Sequence, residues 1–486
     1  MRDMGIAARS NFRIRADATR VITRLFIPGQ ELVGGSEART SETVARVLAL
    51  EEADVAAVLD DLMDRFSKRH DDLTRVFEEH AQRLAGYVGE EISANRRQLL
   101  GAAFTHEFAL EGASVCNPSV VAHPDQTGVA NGGLRVVLSY RSIGEGHRSA
   151  ICFRTGVIDA DATLNIDEAL PFPVVARTSQ GPLHRELLRA KLRDLNLDGE
   201  TVATALKSLG TRFSIEQLDT AIMRLAVHTD TRQHVSETSS LLRVLSECFY
   251  VATFDDDTDL SQRVLWPSTP FESSGMEDAR FVELHEDNVA RYVATYTAFD
   301  GKNVTQQLLQ TDDFVTFSSS PLAGRGAKNK GLAVFPRRIA GQFVALSRHD
   351  RESNAITYSS DLLRWNQVTT VQVPSASWEM LQIGNCGSPI EMAEGWLVLM
   401  HGVGPMRTYG IGALLLDLDD PTKILAKLPR PLLVPEADEQ DGYVPNVVYS
   451  CGSLVHADTL HLPFGIDDQS IGFCTVPLRE LLAAMC

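Results

Sequence analysis

The sequence predicts a mainly β protein: a five-bladed β-propeller with an N-terminal helical region and a helical insertion. Two features of the chain predict this fold class. Five segments repeat an apolar strand that ends in polar or aromatic residues and continues into a loop. Most of the repeats recur at close to the length of one four-stranded blade, which is typically about 40–50 residues.

The repeat is defined by the residues at the ends of its five strands. These residues are Tyr140, Tyr296, Arg348, His401 and Phe464. The intervals between them are 156, 52, 53 and 63 residues, so three of the four intervals approach one blade. The first interval also contains a helical block, and without that block it holds one blade with linkers, although two blades also fit. A β-sandwich with irregular loops is the alternative, and it does not explain the regular spacing.

Helices are predicted before the first repeat and inside the first interval. Between about residues 41 and 104, apolar residues recur at steps of three and four, as on the buried face of a helix. We predict an N-terminal helical region over 1–104 and a propeller domain over 105–480 that carries the insertion at about 180–250. A C-terminal tail is assigned to 481–486.

The composition is that of an ordinary globular protein, with 44% hydrophobic and 23% charged residues among 486. Asp and Glu total 64 against 46 Lys and Arg, so the net charge is −18. This charge repels phosphate backbones and anionic lipid, so neither nucleic acid nor a membrane is an expected partner. An anionic ligand would need a local cluster of basic residues.

The sequence also bears on location and metal binding. No apolar run has the length of a membrane-spanning helix, and the N-terminus lacks the hydrophobic core of a secretory signal. The seven cysteines are scattered, without zinc-ligand or disulfide spacing. We therefore expect a cytoplasmic protein with reduced thiols and no bound metal.

Basic side chains follow the repeated strands. Because equivalent strand ends of a propeller meet at its central axis, the five loops should face one funnel. Arg141, His147, His401 and Arg407 lie in these loops and suit a polar or anionic ligand. The alternative is that some of these side chains only satisfy buried carbonyl groups.

Residues 275–280, Gly-Met-Glu-Asp-Ala-Arg, place two carboxylates side by side before a strand. Neighbours in a strand point to opposite faces, so only one of Glu277 and Asp278 can face the funnel. The other would pair with an arginine such as Arg280 or hold the loop. A carboxylic acid in the funnel suits a general acid toward a glycoside, whereas spacing alone favours a structural turn with an ion pair.

Two further segments have ligand-binding character. The loop GRGAKNKG carries Arg325 and Lys330 and can present cations to phosphate, although a solvated basic hairpin explains it equally well. Tyr443 and Asn446 supply phenol and amide groups suited to sugar hydroxyls.

Five motifs, GMEDAR, KNKGLAVFP, GNCGSPIE, GWLVLMHGVGPMR and DGYVPNVVYSCG, occur in an order that resembles glycoside hydrolase family 130. This family contains inverting β-mannoside phosphorylases and their hydrolytic relatives, built on a five-bladed propeller. The upstream segments CNPSVVAHPDQ and SYRSIGEGHRSAICFRTG fit the same pattern. The resemblance covers about 105–175 and 255–480, so both helical regions lie outside it.

The resemblance implies roles for individual residues. It identifies Asp278 as the proton donor, which reaches the leaving oxygen through a sugar hydroxyl. It implies a phosphate site of Arg325, Lys330, His401 and Arg407. The residues expected to contact the mannoside are Asn117, Ser119, Arg141, His147, Glu277, Gln382, Asn385, Tyr443 and Asn446.

The resemblance also implies a reaction. Members acting on β-1,4-mannosides carry a lysine where this chain has Gln382, whereas those acting on β-1,2-mannosides resemble the QIGNCGSPIE version. The expected activity is inverting phosphorolysis of β-1,2-mannobiose or β-1,2-oligomannan to α-mannose 1-phosphate. Inorganic phosphate is the co-substrate, and no cofactor is expected. The helical additions are candidates for a contact between copies of the chain.

Two rival functions remain open at this point. An inverting β-mannosidase would need a second carboxylate to activate water, for which Glu145, Glu391 and Asp441 are candidates. A propeller that binds mannosides without cleaving them would use the same funnel.

Overall fold

The computed structural model describes residues 3–27, 37–89, 91–228, 232–286 and 289–485. The chain divides into two compact units. The β unit comprises the residues up to Ala16, Ala113–Ala169 and the residues from Val175 onward. The helical unit comprises Asp17–Gly112 and Leu170–Val174.

The helices within the described residues are α1 (Glu37–Leu48), α2 (Glu52–Phe66), α3 (Leu73–Arg83), α4 (Ala94–Ala103), α5 (Arg185–Asp194), α6 (Glu200–Lys207), α7 (Ile215–His228), α8 (Arg232–Glu247) and α9 (Leu478–Ala483). The strands that precede α5 are β1 (Ala8–Arg15), β2 (Val21–Leu25), β3 (Thr105–Ala109), β4 (Ser114–Ala122), β5 (Leu134–Ile143), β6 (Ser149–Ile158), β7 (Leu164–Ile166), β8 (Val174–Val175), β9 (Arg177–Gln180) and β10 (Leu183–His184).

The strands that follow α5 are β11 (Arg212–Phe213), β12 (Tyr250–Thr253), β13 (Arg263–Leu265), β14 (Gly275–Glu286), β15 (Val289–Phe299), β16 (Val304–Thr311), β17 (Thr316–Pro321), β18 (Ala333–Val334), β19 (Phe343–Ser347), β20 (Asn354–Ser359), β21 (Gln367–Gln372), β22 (Gln382–Asn385), β23 (Ile390–Met392), β24 (Gly395–Val403), β25 (Tyr409–Leu416), β26 (Ile424–Lys427), β27 (Val448–Tyr449), β28 (Leu454–His456), β29 (Thr459–Ile466) and β30 (Ser470–Pro477).

The helical unit packs α1–α4 around an apolar cluster and adds the antiparallel pair β2–β3. Val55 and Leu59 of α2 and Leu99 of α4 belong to this cluster, at the helical steps that the sequence predicts. Buried Arg96 donates to the carbonyl oxygens of Val47 and Leu48, which closes the end of α1. The prediction of helices in this region is confirmed.

The β unit consists mainly of antiparallel strands in five successive runs. The runs are β4-β5-β6-β7, β14-β15-β16-β17, β18-β19-β20-β21, β22-β24-β25-β26 and β27-β29-β30-β1. Each of the five repeat segments forms the second strand of one run, so the repeat corresponds to real strands. A parallel pairing of Gly275 with Ser149 joins the first two runs within one sheet of 12 strands. Hydrogen bonding alone therefore does not divide the unit into five separate blades, and the blade count stays a prediction.

The two ends of the chain differ from the predicted boundaries. β1 pairs antiparallel with β30, so residues 8–15 belong to the β unit and not to a helical region that begins at residue 1. The sequence cannot show this pairing, because it joins segments from opposite ends of the chain. At the other end, α9 extends to Ala483 and buries Leu481, so the predicted tail over 481–486 begins inside a helix.

The helical insertion belongs to the β unit and has its own core. Leucines of α5 and α8, among them Leu188, Leu192 and Leu245, pack with Ala323 of the loop between β17 and β18. The insertion is therefore attached through apolar contacts to the loop that the sequence identified as basic. Within the described residues, no helix is both long and apolar enough to cross a bilayer.

Phe153 of β6 lies in a buried aromatic cluster, and its ring centroid is 6.0 Å from Phe281, 5.9 Å from Phe314 and 5.8 Å from Phe317. Phe153→Ala should lower the free energy of unfolding by about 3–5 kcal/mol, because it leaves a cavity among these rings. Urea denaturation followed by tryptophan fluorescence measures the change. Val373→Ala, at a 58% exposed position, is the control and should cost less than about 0.5 kcal/mol. A loss for Phe153→Ala as small as that of the control would contradict this view of the core.

Candidate functional site

The β unit contains a cavity of about 700 Å³. Its wall includes loop or strand-end residues from all five strand runs together with the last turn of α5. Charged and polar side chains dominate the wall, and the carboxylates Asp278 and Asp468 both reach it. The cavity is within the volume range of small-molecule sites.

Asp278 enters the cavity because β14 departs from regular pleating at this point. The register of β14 with β15 shifts between Glu277 and Arg280, and Asp278 has a φ of 55°. A left-handed conformation at a non-glycine residue is costly and persists only where the surroundings enforce it. Asp278 is 8% exposed and lines the cavity, as the sequence required of one of the two carboxylates.

Glu277 does not line the cavity among the described residues but binds two of the side chains that do. Its carboxylate accepts a hydrogen bond from Arg141 Nη2 at 2.7 Å and another from Lys330 Nζ. The second carboxylate pairs with an arginine, as expected, but this arginine is Arg141 and not Arg280, the example that the sequence suggested. Glu277 instead bridges a cation on β5 and a cation on the loop before β18.

Arg280 makes its hydrogen bonds to other buried groups of the protein. It donates to the carbonyl oxygen of Asp278 at 2.7 Å and to the hydroxyl of Tyr449 at 2.7 Å. Its Nε donates to Asn385 Oδ1 at 3.2 Å, and the Asn385 amide donates to the Gly331 carbonyl at 2.5 Å. Asn385 is 0% exposed, so the structure gives this predicted sugar ligand a positioning role instead.

Positive charge surrounds the Asp278 carboxyl. Burial disfavours its ionised form, but four cations outweigh burial and hold the pKa of Asp278 below its ordinary value. In order of effect they are Lys330, Arg280, Arg141 and Arg348. Asp278 is therefore ionised at neutral pH.

Arg348 and His401 approach each other next to a glycine. A Cβ on Gly384 would lie 2.3 Å from Arg348 Cδ and 2.6 Å from His401 Cε1, so only glycine leaves room for both side chains here. Arg348 Nε donates to the Ile383 carbonyl at 3.1 Å, which aligns the guanidinium along β22. Both side chains line the cavity.

His401 presents a neutral ring. It is 1% exposed and stacks with Tyr409, with ring centroids 5.8 Å apart. Burial, followed by the charges of Arg348 and Arg280, lowers the pKa of His401 well below its ordinary value. Its Nδ1 has no hydrogen-bond partner among the described residues. His401 can therefore offer a hydrogen bond to a ligand but not the positive charge that the sequence interpretation assumed.

Asp468 is a second carboxylate in the cavity that the sequence interpretation missed. It follows β29 in the loop of the fifth repeat, with a φ of 49°. Burial, partly offset by Arg141, raises the pKa of Asp468 to about 6. A signal was present, since Asp467-Asp468 ends the last repeat, but nothing in the spacing distinguished it from an ordinary turn.

The structure brings about half of the predicted site residues to the cavity wall. Those that line it are Asn117, Arg141, Asp278, Lys330, Gln382, His401 and Arg407. Those that the structure does not place on the described wall are Ser119, His147, Glu277, Arg325, Asn385, Tyr443 and Asn446. Lys191 and Asp468, which the sequence reasoning did not single out, also line the wall. Lys328, Arg348 and Tyr449 line it as well, and they belong to the basic loop, a repeated strand end and a family motif that the sequence indicated, although they are not among the named site residues.

The predicted residues away from the wall have identifiable partners. Ser119 is fully buried, and its hydroxyl accepts from the Phe281 amide at 3.3 Å. His147 Nδ1 and the Tyr443 hydroxyl are 2.5 Å apart and exposed. Arg325 is also exposed and lies 3.5 Å from His349. The Asn446 carbonyl accepts from the amide of Tyr409, so its backbone supports a wall residue.

Metal ligands are a separate question. Within the parts of the chain that the structure describes, no three His, Cys, Asp or Glu side chains come together as a metal site. The prediction that no metal takes part stays a prediction.

The chain matches a family model and is similar to two known phosphorylases. A family model described as beta-1,4-mannooligosaccharide phosphorylase matches residues 256–486. The chain is 32% identical over 232 residues to a 1,2-beta-oligomannan phosphorylase of Thermoanaerobacter sp. (strain X514), which covers 46% of this chain and 75% of that protein. It is 31% identical over 227 residues to a beta-1,2-mannobiose phosphorylase of Listeria innocua serovar 6a, covering 45% of this chain and 62% of that protein.

A solved structure gives a similar comparison. The beta-1,2-mannobiose phosphorylase from Listeria innocua, in complex with beta-1,2-mannobiose, is 22% identical. The match covers 78% of this chain and 92% of that chain, with a TM-score of 0.45.

The raised pKa of Asp468 has a consequence for stability. Because its pKa of about 6 lies above that of an aspartate in an unfolded chain, ionising Asp468 costs stability, and the cost appears as pH rises from about 4 to above 6. Asp468→Asn should therefore raise Tm at pH 7.5, and the gain should disappear near pH 4. Differential scanning calorimetry at both pH values tests this. Asp441→Asn, at an exposed position, is the control, and an equal gain at both pH values would contradict the prediction.

Proposed function

Because this chain belongs to glycoside hydrolase family 130, we propose that it is an inverting phosphorylase that cleaves β-mannosides with inorganic phosphate. The observation that carries the proposal is one cavity that holds a buried carboxyl, Asp278, among Lys330, Arg141 and Arg348. An acid surrounded by cations suits phosphorolysis, since phosphate is already a nucleophile and needs no base. We propose β-1,2-mannobiose or β-1,2-oligomannan as the substrate, which the names of the two relatives and the Gln382 motif support.

The proposal includes the five-bladed propeller. The five antiparallel runs would be its blades, and the pairing of β1 with β30 would complete the last blade with the first strand of the chain. Closure between strands from the two ends of a chain removes exposed sheet edges. Convergence of the runs on one axis would explain why all five contribute to one cavity wall.

Phosphate would bind to the cations that surround Asp278. Despite burial, Asp278 and Glu277 raise the pKa of Lys330, so this ammonium keeps its charge. Arg348 and Arg141 add planar guanidinium groups suited to phosphate oxygens, and His401 adds a neutral hydrogen-bonding ring. Arg407 also lines the cavity, whereas Arg325 lies outside the described wall, so we assign the phosphate to Lys330, Arg348, Arg141, His401 and Arg407.

The same cations connect phosphate binding to the protonation of Asp278. In the empty cavity they hold its pKa low, which favours the ionised form. A phosphate dianion bound to them would offset their charge, and burial would then raise the pKa of the carboxyl. Asp278 would therefore hold a proton when phosphate and mannoside are both bound, which is when a general acid is needed.

The reaction exchanges one bond at the anomeric carbon. A phosphate oxygen forms a bond to C1 as the bond from C1 to the leaving sugar oxygen breaks. The proton of Asp278 moves to that leaving oxygen, through a sugar hydroxyl if the family mechanism applies. Attack from the face opposite the leaving group inverts a β-mannoside into α-mannose 1-phosphate.

Hydrolysis is the second candidate, and one observation favours it. Glu391 is bound to Arg337 Nη2 at 2.6 Å, and Glu145 and Asp441 are exposed and away from the described wall, so the three expected bases are poorly placed. Asp468 does line the cavity, and its pKa of about 6 lies in the range of a general base. If water replaced phosphate, Asp468 would be the group to activate it. A propeller that only binds mannosides is the third candidate, and it would show saturable binding without cleavage.

The remaining assignments are proposals of the same kind. We propose a cytoplasmic location, which the buried thiols Cys116, Cys248, Cys386, Cys451 and Cys474 support, because each is in the reduced form. Phosphate would be the only co-substrate, with no cofactor. The helical unit and the insertion remain our candidates for a contact between copies of the chain.

Asp278→Asn should lower kcat for phosphorolysis at least about a hundredfold, because an amide cannot donate the proton. Mannoside binding should change little, since the shape of the side chain is kept. Phosphate-dependent release of mannose 1-phosphate measures turnover, and calorimetry measures binding. Asp312→Asn, an exposed position on a turn, is the control. Near-normal turnover in Asp278→Asn would remove Asp278 as the acid.

Products identify the reaction. With β-1,2-mannobiose, the enzyme should form mannose 1-phosphate only when phosphate is present, and an Arg348→Gln variant should need more phosphate to reach half-maximal rate. Incubation of β-1,2- and β-1,4-mannobiose with and without phosphate, followed by chromatography, tests this. Release of free mannose at the same rate without phosphate would support the hydrolase, and Asp468→Asn should then abolish it.

A further inference from the structure

The insertion supplies part of the cavity wall. Lys191 of α5, Lys302 in the turn before β16 and Lys328 in the basic loop line the cavity, and we call these three lysines the lysine end. Their segments meet at Leu322, whose carbonyl accepts from Lys191 Nζ at 3.1 Å and whose amide donates to the Gln306 carbonyl of β16 at 2.9 Å. The cations that act most strongly on Asp278 are other residues, so the lysine end adds further positive charge to the wall of the same cavity.

Lys191 has unused hydrogen-bonding capacity. Lys191 is only 8% exposed, and its ammonium donates to the Leu322 carbonyl at 3.1 Å. Among the described residues, the Leu322 carbonyl is the acceptor that the structure shows for this ammonium, which has three N–H donors. Burying an ammonium without acceptors is costly, so a ligand in the cavity that supplies acceptors would stabilise it. Burial lowers the pKa of Lys191, and the charge of Asp194 opposes this effect.

Asp194 does not neutralise this cluster by pairing with it. Its Oδ2 accepts a hydrogen bond from the Gly324 amide at 2.7 Å, which holds the start of the basic loop. No ion pair within 4.0 Å joins Asp194 to Lys191 in the described part of the chain. Lys302 and Lys328 are exposed, whereas Lys191 is buried.

The charge of the whole wall exceeds what phosphate requires. Of the wall residues described, eight are Lys or Arg and three are Asp, in a chain whose net charge is −18. A bound phosphate carries at most about two negative charges. Even with Glu277 behind the wall, a neutral mannoside and one phosphate would leave positive charge unbalanced. Positive charge concentrated in one cavity of a negatively charged protein indicates that the bound state contains an additional anionic group.

We propose that the leaving sugar of the substrate carries a carboxylate or phosphate group, which the lysine end binds through Lys191, Lys302 and Lys328. This inference rests on the proposed phosphorolysis and names the class of its leaving group. In the reverse direction, a hydroxyl of the anionic sugar attacks C1 of α-mannose 1-phosphate, the C1–phosphate bond breaks, and the hydroxyl proton returns to Asp278. Neutral mannobiose would be a slower substrate of the same site.

The reverse reaction tests the proposal directly. The full chain is supplied with α-mannose 1-phosphate and one of three acceptors, mannose, mannose 6-phosphate or mannuronate, and phosphate release is measured. We expect kcat/KM to be at least about tenfold higher for one or both anionic acceptors than for mannose. The two anionic arms distinguish a phosphate from a carboxylate as the group that is bound.

Two lysine variants test whether the lysine end causes the preference for an anionic acceptor. Lys191→Met should reduce kcat/KM for the preferred anionic acceptor about tenfold or more and affect mannose much less. Lys302→Gln changes an exposed residue and should not affect folding. It should also lower the preference for the anionic acceptor over mannose. Lys207→Gln is the matched control, because Lys207 is exposed on α6 of the same insertion and lies away from the described wall. Calorimetry of mannose 6-phosphate and mannuronate binding supplies a readout independent of turnover.

The outcomes separate this inference from the proposed function. Equal use of all three acceptors, or equal losses on all of them in both lysine variants, would overturn the lysine end while phosphorolysis stands. If no acceptor releases phosphate but binding of the anionic sugars still depends on Lys191, the phosphorylase proposal fails and the lysine end stands.

Discussion

The ion-pair bridge of Glu277 to Arg141 and Lys330 organises the cavity. One buried carboxylate gathers a guanidinium from β5 and an ammonium from the loop before β18, two segments far apart in the chain. Glu277 is buried and Arg141 largely so, whereas the Lys330 side chain stays 40% exposed. Removing charged groups from water is favourable only when their geometry and remaining hydrogen bonds compensate for lost hydration. The bridge leaves the two cations with surplus positive charge toward Asp278, one residue further along β14. The left-handed turn at Asp278 is what allows adjacent carboxylates to serve these two purposes.

The electrostatic state of Asp278 follows from this arrangement. An acid held among cations has a lowered pKa and is ionised, and an anion bound to those cations would favour its protonated form. Under the proposed function, phosphate would be both the nucleophile and the agent that prepares the acid. Neutral His401 fits the same scheme, because a further cation beside Arg348 would lower the pKa of Asp278 still more.

The helical insertion shares in the construction of the cavity. Its last helical turn donates Lys191 to the wall and binds the start of the basic loop through Asp194 and Gly324. The family match begins at residue 256, so this contribution comes from a segment outside the matched region. The catalytic chemistry of a family can thus be combined with a binding surface that one chain builds from segments outside the family match.

The sequence by itself determined the elements of the protein and predicted Asp278 as its acid. The periodicities located the strands and helices because burial of an apolar face is a local property of the chain. The motif around Glu277 and Asp278, together with the family resemblance, pointed to a pair of carboxylates of which the structure places Asp278 on the cavity wall. Only the tertiary structure decided which groups meet. The pairing of β1 with β30, the partners of Glu277, the neutral state of His401 and the entry of Asp468 and Lys191 into the cavity all depend on contacts between distant segments. Burial and nearby charge, which set the protonation of these groups, are properties of the assembled fold, and no local pattern of residues encodes them.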